Sequence, residues 1–166
     1  LLGLSLVTLR VDKLSLMFGY VFLLAAFLGG LYALHVRDTV QQASGLVYAG
    51  SAIGAVFAGD LVTLFIFWEG IAVASVFLIW ASRNERAYRA GMRYLVIQIG
   101  SGVLLLAGIL LHYRHTGSIA FGAIGLVSPG SALILLAFGI KCAFPLLHNW
   151  LQDAYPEATV SGTVLL

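Results

Sequence analysis

An all-α integral membrane protein is the fold class this sequence predicts, and three observations predict it. Of 166 residues, 61% are hydrophobic and 10% are charged; a soluble domain is nearer half apolar and a quarter charged. Mean hydropathy is +1.01. Apolar runs of about 20 residues, the length of a bilayer-spanning helix, recur along the chain. The runs are too long and too uniformly apolar for the strand-period segments of a membrane barrel. The formal net charge of +2 is small and scattered, so nucleic acid is not an expected partner. One cysteine, Cys142, cannot make an internal disulfide; it reads as a small apolar residue in a buried helix. No signal peptide precedes the first run. The opening "LLGLSL" and closing "TVLL" read as an internal piece of a longer polytopic protein.

The first expected span is Leu14–His35, ending at the polar "HVRD". A second, short run covers residues 44–59 and carries Gly50, Gly54 and Ala58 at a spacing that lets helices approach closely. Leu61–Trp80 is the third, interrupted only by Glu69, with Asp60 placed to cap its start. Arg89–Leu111 is the fourth and holds Gln98, read as a packing residue. The fifth runs from Ser131 to Trp150 and contains Lys141 and Pro145; a sixth begins at Thr159. All six belong to one transmembrane domain. Arg83, Arg86 and Arg89 gather in one loop, "SRNERAYR", and by the positive-inside rule that loop is cytoplasmic. Alternation puts "HVRD" and "HNWLQDAYPE" on the same side and "HYRHTG" outside. In that outer loop His112 and His115 are a very weak metal signal.

Two charges lie inside apolar runs. Glu69 is near the middle of its span and Lys141 about ten residues into its own. Each costs roughly 2.5–3.5 kcal/mol to insert at a helix centre. Facing one another across a helix interface, an acid and a base offset part of that cost. They also form a switch, because burial favours the neutral forms and proximity the charged ones. A static ion pair that fixes packing is the competing reading. Pro145 lies four residues after Lys141; its ring clashes with the carbonyl of residue i−4, so the helix should break at the lysine. Broken backbone at membrane depth is tolerated only inside protein or along a wet cavity. His148, seven residues after Lys141 on the same helix face, can pass protons near neutral pH or serve as an interfacial residue beside Trp150. Asp153 and Glu157 read as solvated loop acids. No residue pattern calls for a cofactor or a metal ion.

"DLVTLFIFWEG", followed by "GIKCAFPLLHNWLQDAYPEA", resembles the core of the antiporter-like membrane subunits. These are shared by Mrp-type cation/proton antiporters and the proton-pumping arm of respiratory complex I. The resemblance covers nearly the whole chain from "VDKLSLMF". It implies a piece of a fourteen-helix bundle, from about its third helix to the start of its eighth. It also implies that the family's paired glutamate and lysine are Glu69 and Lys141, and that its loop histidine is His148. Gln152 stands where the family usually has proline, and "EATVSG" where it usually continues with proline and threonine. "QDAYPEATVSGT" looks more like the D-type Mrp subunit than a complex I subunit.

The expectation is therefore a transporter subunit with no catalytic chemistry of its own, in a bacterial inner membrane. It moves protons through a half-channel at Glu69, Lys141 and His148, with the helix break at Pro145. Its partners would be other membrane subunits, lipid, protons and a monovalent cation such as sodium. One alternative is a pumping subunit of an NADH:quinone oxidoreductase or hydrogenase-type complex. Another is a non-transporting scaffold whose ion pair is structural.

Overall fold

The computed structural model describes residues 5–122, 124–126 and 128–166. Helices dominate. They are α1 (Lys13–Tyr32), α2 (Thr39–Val56), α3 (Leu61–Trp80), α4 (Glu85–Thr116), α5 (Pro129–Lys141), α6 (Asn149–Ala154) and α7 (Val160–Leu165). The extended contact in the described residues is a single bridge between Asp60 and Ala120. Among the described residues, three helical stretches are long and apolar enough to cross a membrane: Lys13–His35, Leu61–Trp80 and Glu85–Thr116.

Short polar residues decide where the longer helices start, because each accepts a bond from an N–H that has no partner within the helix. Asp12 and Ser15 form a reciprocal capping box at α1, and Ser128 and Ser131 another at α5. Asp38 starts α2, Asp60 starts α3 and Asn84 starts α4. These caps account for two differences from the expected spans. α2 begins at Thr39, five residues earlier than the apolar run alone indicates. α4 extends from Glu85 to Thr116, where Gly117 closes it at φ 70°, a left-handed conformation that glycine adopts without steric cost. His112 and His115 are thus in the last turns of α4, not in a loop.

The fifth span is broken at Lys141, as Pro145 predicts. Residues 131–150 do not form one helix: α5 ends at Lys141 and α6 begins at Asn149. Thirteen residues of α5 rise only about 20 Å, short of the ~30 Å hydrocarbon core. Pro145 cannot continue the helix, and Ala143 (φ 52°) and Leu146 (φ 74°) both turn through left-handed backbone around it. Carbonyls freed by the break find new donors. Gly139 accepts from the Phe144 N–H at 2.8 Å, and Ile140 from the Trp150 indole at 2.9 Å. Cys142 is consequently an exposed cap residue and not part of a buried helix.

α3 is the central helix, with α2 and α4 against it. Gly54 of α2 faces the Phe67 ring so closely that a Cβ would overlap it. α5 lies on the C-terminal half of α4, where Gly108 and Gly130 let the two backbones meet. Leu61, Trp68, Leu105, Ile109, Ile134 and Ala137 form one core between α3, α4 and α5. Val76, Ile79, Tyr94, Trp150 and Ala154 form a second between α3, α4 and α6. α1 buries only Gly19 and Gly29 and presents the rest of its apolar surface outward.

The two ends of the bundle differ. At one, Arg83 bonds Asp38 at 2.8 Å, Arg86 lies 3.2 Å from Glu157 and Arg93 3.0 Å from Asp153. "HVRD", "SRNERAYR" and "HNWLQDAYPE" therefore share one end. At the other, Asp60 is 2% exposed. It accepts from the N–H groups of Val7 and Thr63 and from the Thr63 hydroxyl.

Candidate functional site

Lys141 ends α5 within the bundle, and its chain reaches back to α3. Nζ donates to the Trp68 carbonyl at 3.4 Å and stands 5.0 Å from the centre of the Trp68 ring. Trp68 is held in place on two sides. Its indole donates to Ser101 Oγ at 3.2 Å, and its ring meets Phe138 edge-on at 4.9 Å between centroids. An ammonium over an indole face is attracted by the ring's quadrupole, more strongly where water is scarce. Trp68 thus serves Lys141 with both its backbone and its ring.

Glu69 is the next residue, on the side of α3 that faces α4. Its Oε1 is buried and has no hydrogen-bond partner among the described residues. The carboxylate presses against Gly102, where an added Cβ would overlap Oε1. Among the described residues no ion pair within 4.0 Å joins Glu69 to Lys141. The two are linked through adjacent residues of α3, with Lys141 on the carbonyl of Trp68 and the carboxylate one residue on. This geometry is not a closed salt bridge.

Beside Lys141 lies a cavity of about 450 Å³. Trp68, Lys141, Tyr48, Tyr94, Gln98 and Trp150 are among the residues that line it. Gln98 is fully buried, and neither atom of its amide has a partner among the described residues. Its neighbours on the wall are satisfied: Tyr94 shares a 2.7 Å hydrogen bond with Ser75, and Tyr48 donates to the Leu166 carbonyl. A buried amide or carboxylate without a partner is rare in folded proteins and costs free energy. Three such atoms fall within one turn of α4, at Gln98 and against Gly102.

His148 is separated from Lys141 by the helix break, so the seven-residue spacing does not place them on one helix face. It precedes α6 with a half-buried side chain that makes no cap bond. Pro145 is exposed, between the two left-handed residues of the turn. Asp153 and Glu157 are engaged with Arg93 and Arg86. Gln98, Gly102 and Trp68 were not singled out by sequence reasoning as site residues. The available signal was an amide alone in an apolar helix with a glycine four residues on, the spacing of one helix face.

The chain matches known proteins along most of its length. The family model described as "NADH:quinone oxidoreductase/Mrp antiporter, TM" matches residues 58–166. Hydrogenase-4 component B of Escherichia coli (strain K12) is 32% identical over 176 residues, covering 96% of this chain and 26% of that protein. NADH-quinone oxidoreductase subunit N of Deinococcus radiodurans is 29% identical over 179 residues, covering 95% of this chain and 36% of the relative. A chain in the solved Mrp complex from Dietzia sp. DQ12-45-1b superposes with a TM-score of 0.76 at 26% identity, over 90% of this chain and 31% of that one. The chain therefore spans only about a quarter to a third of the length of these proteins. The family model covers residues 58–166, well over half of this chain, and the chain belongs to the NADH:quinone oxidoreductase/Mrp antiporter transmembrane family.

Proposed function

We propose that this chain is part of the proton-translocating subunit of a Mrp-type cation/proton antiporter, with a half-channel built around Glu69 and Lys141. The observation that carries the reading is the position of the Lys141 ammonium. It lies inside the bundle at the end of a broken helix, on the Trp68 carbonyl, with Glu69 one residue further along α3 and a cavity of about 450 Å³ alongside. Intramembrane ionisable residues facing a cavity mark ion paths more often than packing. Lys141 Nζ takes a proton from water in the cavity and returns it to water. Glu69 supplies the opposite charge that makes the protonated state affordable. His148, at the start of α6, passes protons toward the end where the arginines gather. Water around the turn at Pro145 carries the proton to and from Lys141. The exchanged ion is a monovalent cation such as sodium, and the other membrane subunits of the complex supply the rest of the path in a bacterial inner membrane.

A second reading is favoured by the 32% identity to hydrogenase-4 component B and the 29% identity to an NADH-quinone oxidoreductase subunit. In it the same half-channel is driven by a redox module and not by a cation gradient.

Proton movement in inverted vesicles containing the full-length protein in its complex tests both. Lys141→Ala should abolish the proton response while assembly is retained. A wild-type response would reduce the lysine to a structural role and leave a scaffold. If wild-type vesicles respond to an imposed sodium gradient without a redox substrate, antiport is supported; a response only to electron donors supports the redox-driven reading.

A further inference from the structure

We propose that Gln98 is the water-holding residue that joins Glu69 to the Lys141 cavity; this rests on the reading of Glu69 and Lys141 as the proton site. Four observations lead there. Gln98 is fully buried, and both ends of its amide are without partners among the described residues. It lines the same cavity wall as Lys141. One turn further along α4 is Gly102, against which the unpartnered Glu69 Oε1 lies. One turn earlier is Tyr94, on the same cavity, with its hydroxyl already committed to Ser75.

The chemistry of the amide selects the ligand. Gln98 offers two N–H donors and one carbonyl acceptor. A cation would satisfy only the carbonyl, a carboxylate only the donors, and a lipid tail neither. Water satisfies both and is small enough for the space available. In the described conformation the amide has no accessible surface, so the side chain must turn toward the cavity to take up water. Gln98 is then a positioning residue. It does not accept or release the transported proton; it holds the water through which Glu69 and Lys141 communicate. Residues 98 and 102 are one turn apart, about 6 Å along the helix, a rise that one water hydrogen-bonded at both ends can span.

The test uses the full-length protein in its complex, reconstituted in vesicles with a pH-sensitive dye. Gln98→Leu keeps the side chain's approximate volume and removes both polar atoms. We expect its initial proton rate to fall by about 2- to 10-fold, the range equivalent to one net hydrogen bond. Assembly and Tm should be unchanged or improved, because a buried amide without a partner has been removed. Gln98→Asn should recover part of the rate. Infrared O–H stretching bands that shift in oxygen-18 water should weaken in Gln98→Leu and persist in Gln98→Asn. A wild-type rate in Gln98→Leu, with Lys141→Ala silent, overturns this inference alone. A wild-type rate in Lys141→Ala overturns the proton-site reading and this inference with it. Should Gln98→Leu fail to assemble, Gln98→Asn and Gln98→Met decide the matter: equal rates in those two overturn the inference.

Discussion

Two carboxylates on one helix behave in opposite ways. Asp60, at the start of α3, is buried and accepts three hydrogen bonds, from the Val7 N–H at 2.7 Å, the Thr63 N–H at 2.8 Å and the Thr63 hydroxyl at 2.9 Å. Glu69, nine residues along, has a buried oxygen with no such partner among the described residues. Asp60 caps the helix and ties the segment before α1 to it, so its negative charge is absorbed by structure. Glu69 is held in place by close packing against Gly102 and keeps its hydrogen-bonding capacity for something else. The acid that caps the helix is surrounded by donors, whereas the acid in mid-helix is packed against a glycine.

Substitutions can break this contrast. Asp60→Ala should have the largest effect on stability, roughly 2–4 kcal/mol, from a lost cap and buried donors left without acceptors. It should appear as a lower Tm of the detergent-solubilised complex. Gly102→Ala should cost about 1–3 kcal/mol by overpacking. It should also impair proton transport, since the Glu69 carboxylate must move to admit the methyl group. Glu69→Gln should change stability by less than about 1 kcal/mol, because no hydrogen bond is lost, while transport in vesicles collapses. If Glu69→Gln lowers Tm as much as Asp60→Ala, the two carboxylates are alike and the contrast fails.

Smaller effects belong to the end where the arginines gather. Arg93→Ala removes an exposed pair with Asp153 and should cost at most about 1 kcal/mol, less at high salt. Asp38 provides a pH signature. Partial desolvation pushes its carboxyl up, but the Gln41 N–H, the Arg83 charge and the Val40 N–H outweigh that and hold it below 3.8. A lowered value means the folded state favours the ionised form. The associated stability is therefore present above pH 3.8 and is lost as the pH falls through the lowered value. Thermal unfolding of wild type and Asp38→Asn should differ at neutral pH and converge on acidification.

Much of this arrangement was legible in the residues. The membrane class followed from composition, and Lys141 and Glu69 stood out because hydrocarbon is a costly place for charge. What could not be read was how side chains pair across helices. Lys141 reaches the Trp68 carbonyl and ring, and among the described residues makes no salt bridge with Glu69. His148 could not be placed relative to Lys141, because the two left-handed residues at 143 and 146 redirect the chain between them. Gln98 looked like packing because periodicity shows which face is buried but not whether a partner waits there. The length of α4 was underestimated because its polar ends continue the helix under Asn84 and Gly117 after the apolar run stops.

The close fit between Gly102 and Glu69 leaves a trace that natural variation can record. A side chain at position 102 and a glutamate at position 69 compete for one volume. A larger residue at 102 therefore requires the end of the Glu69 side chain to swing aside, so relatives with glutamate at 69 are expected to favour a small residue at 102. Relatives that pair glutamate at 69 with bulky residues at 102 would show that the missing methyl group does not position the carboxylate.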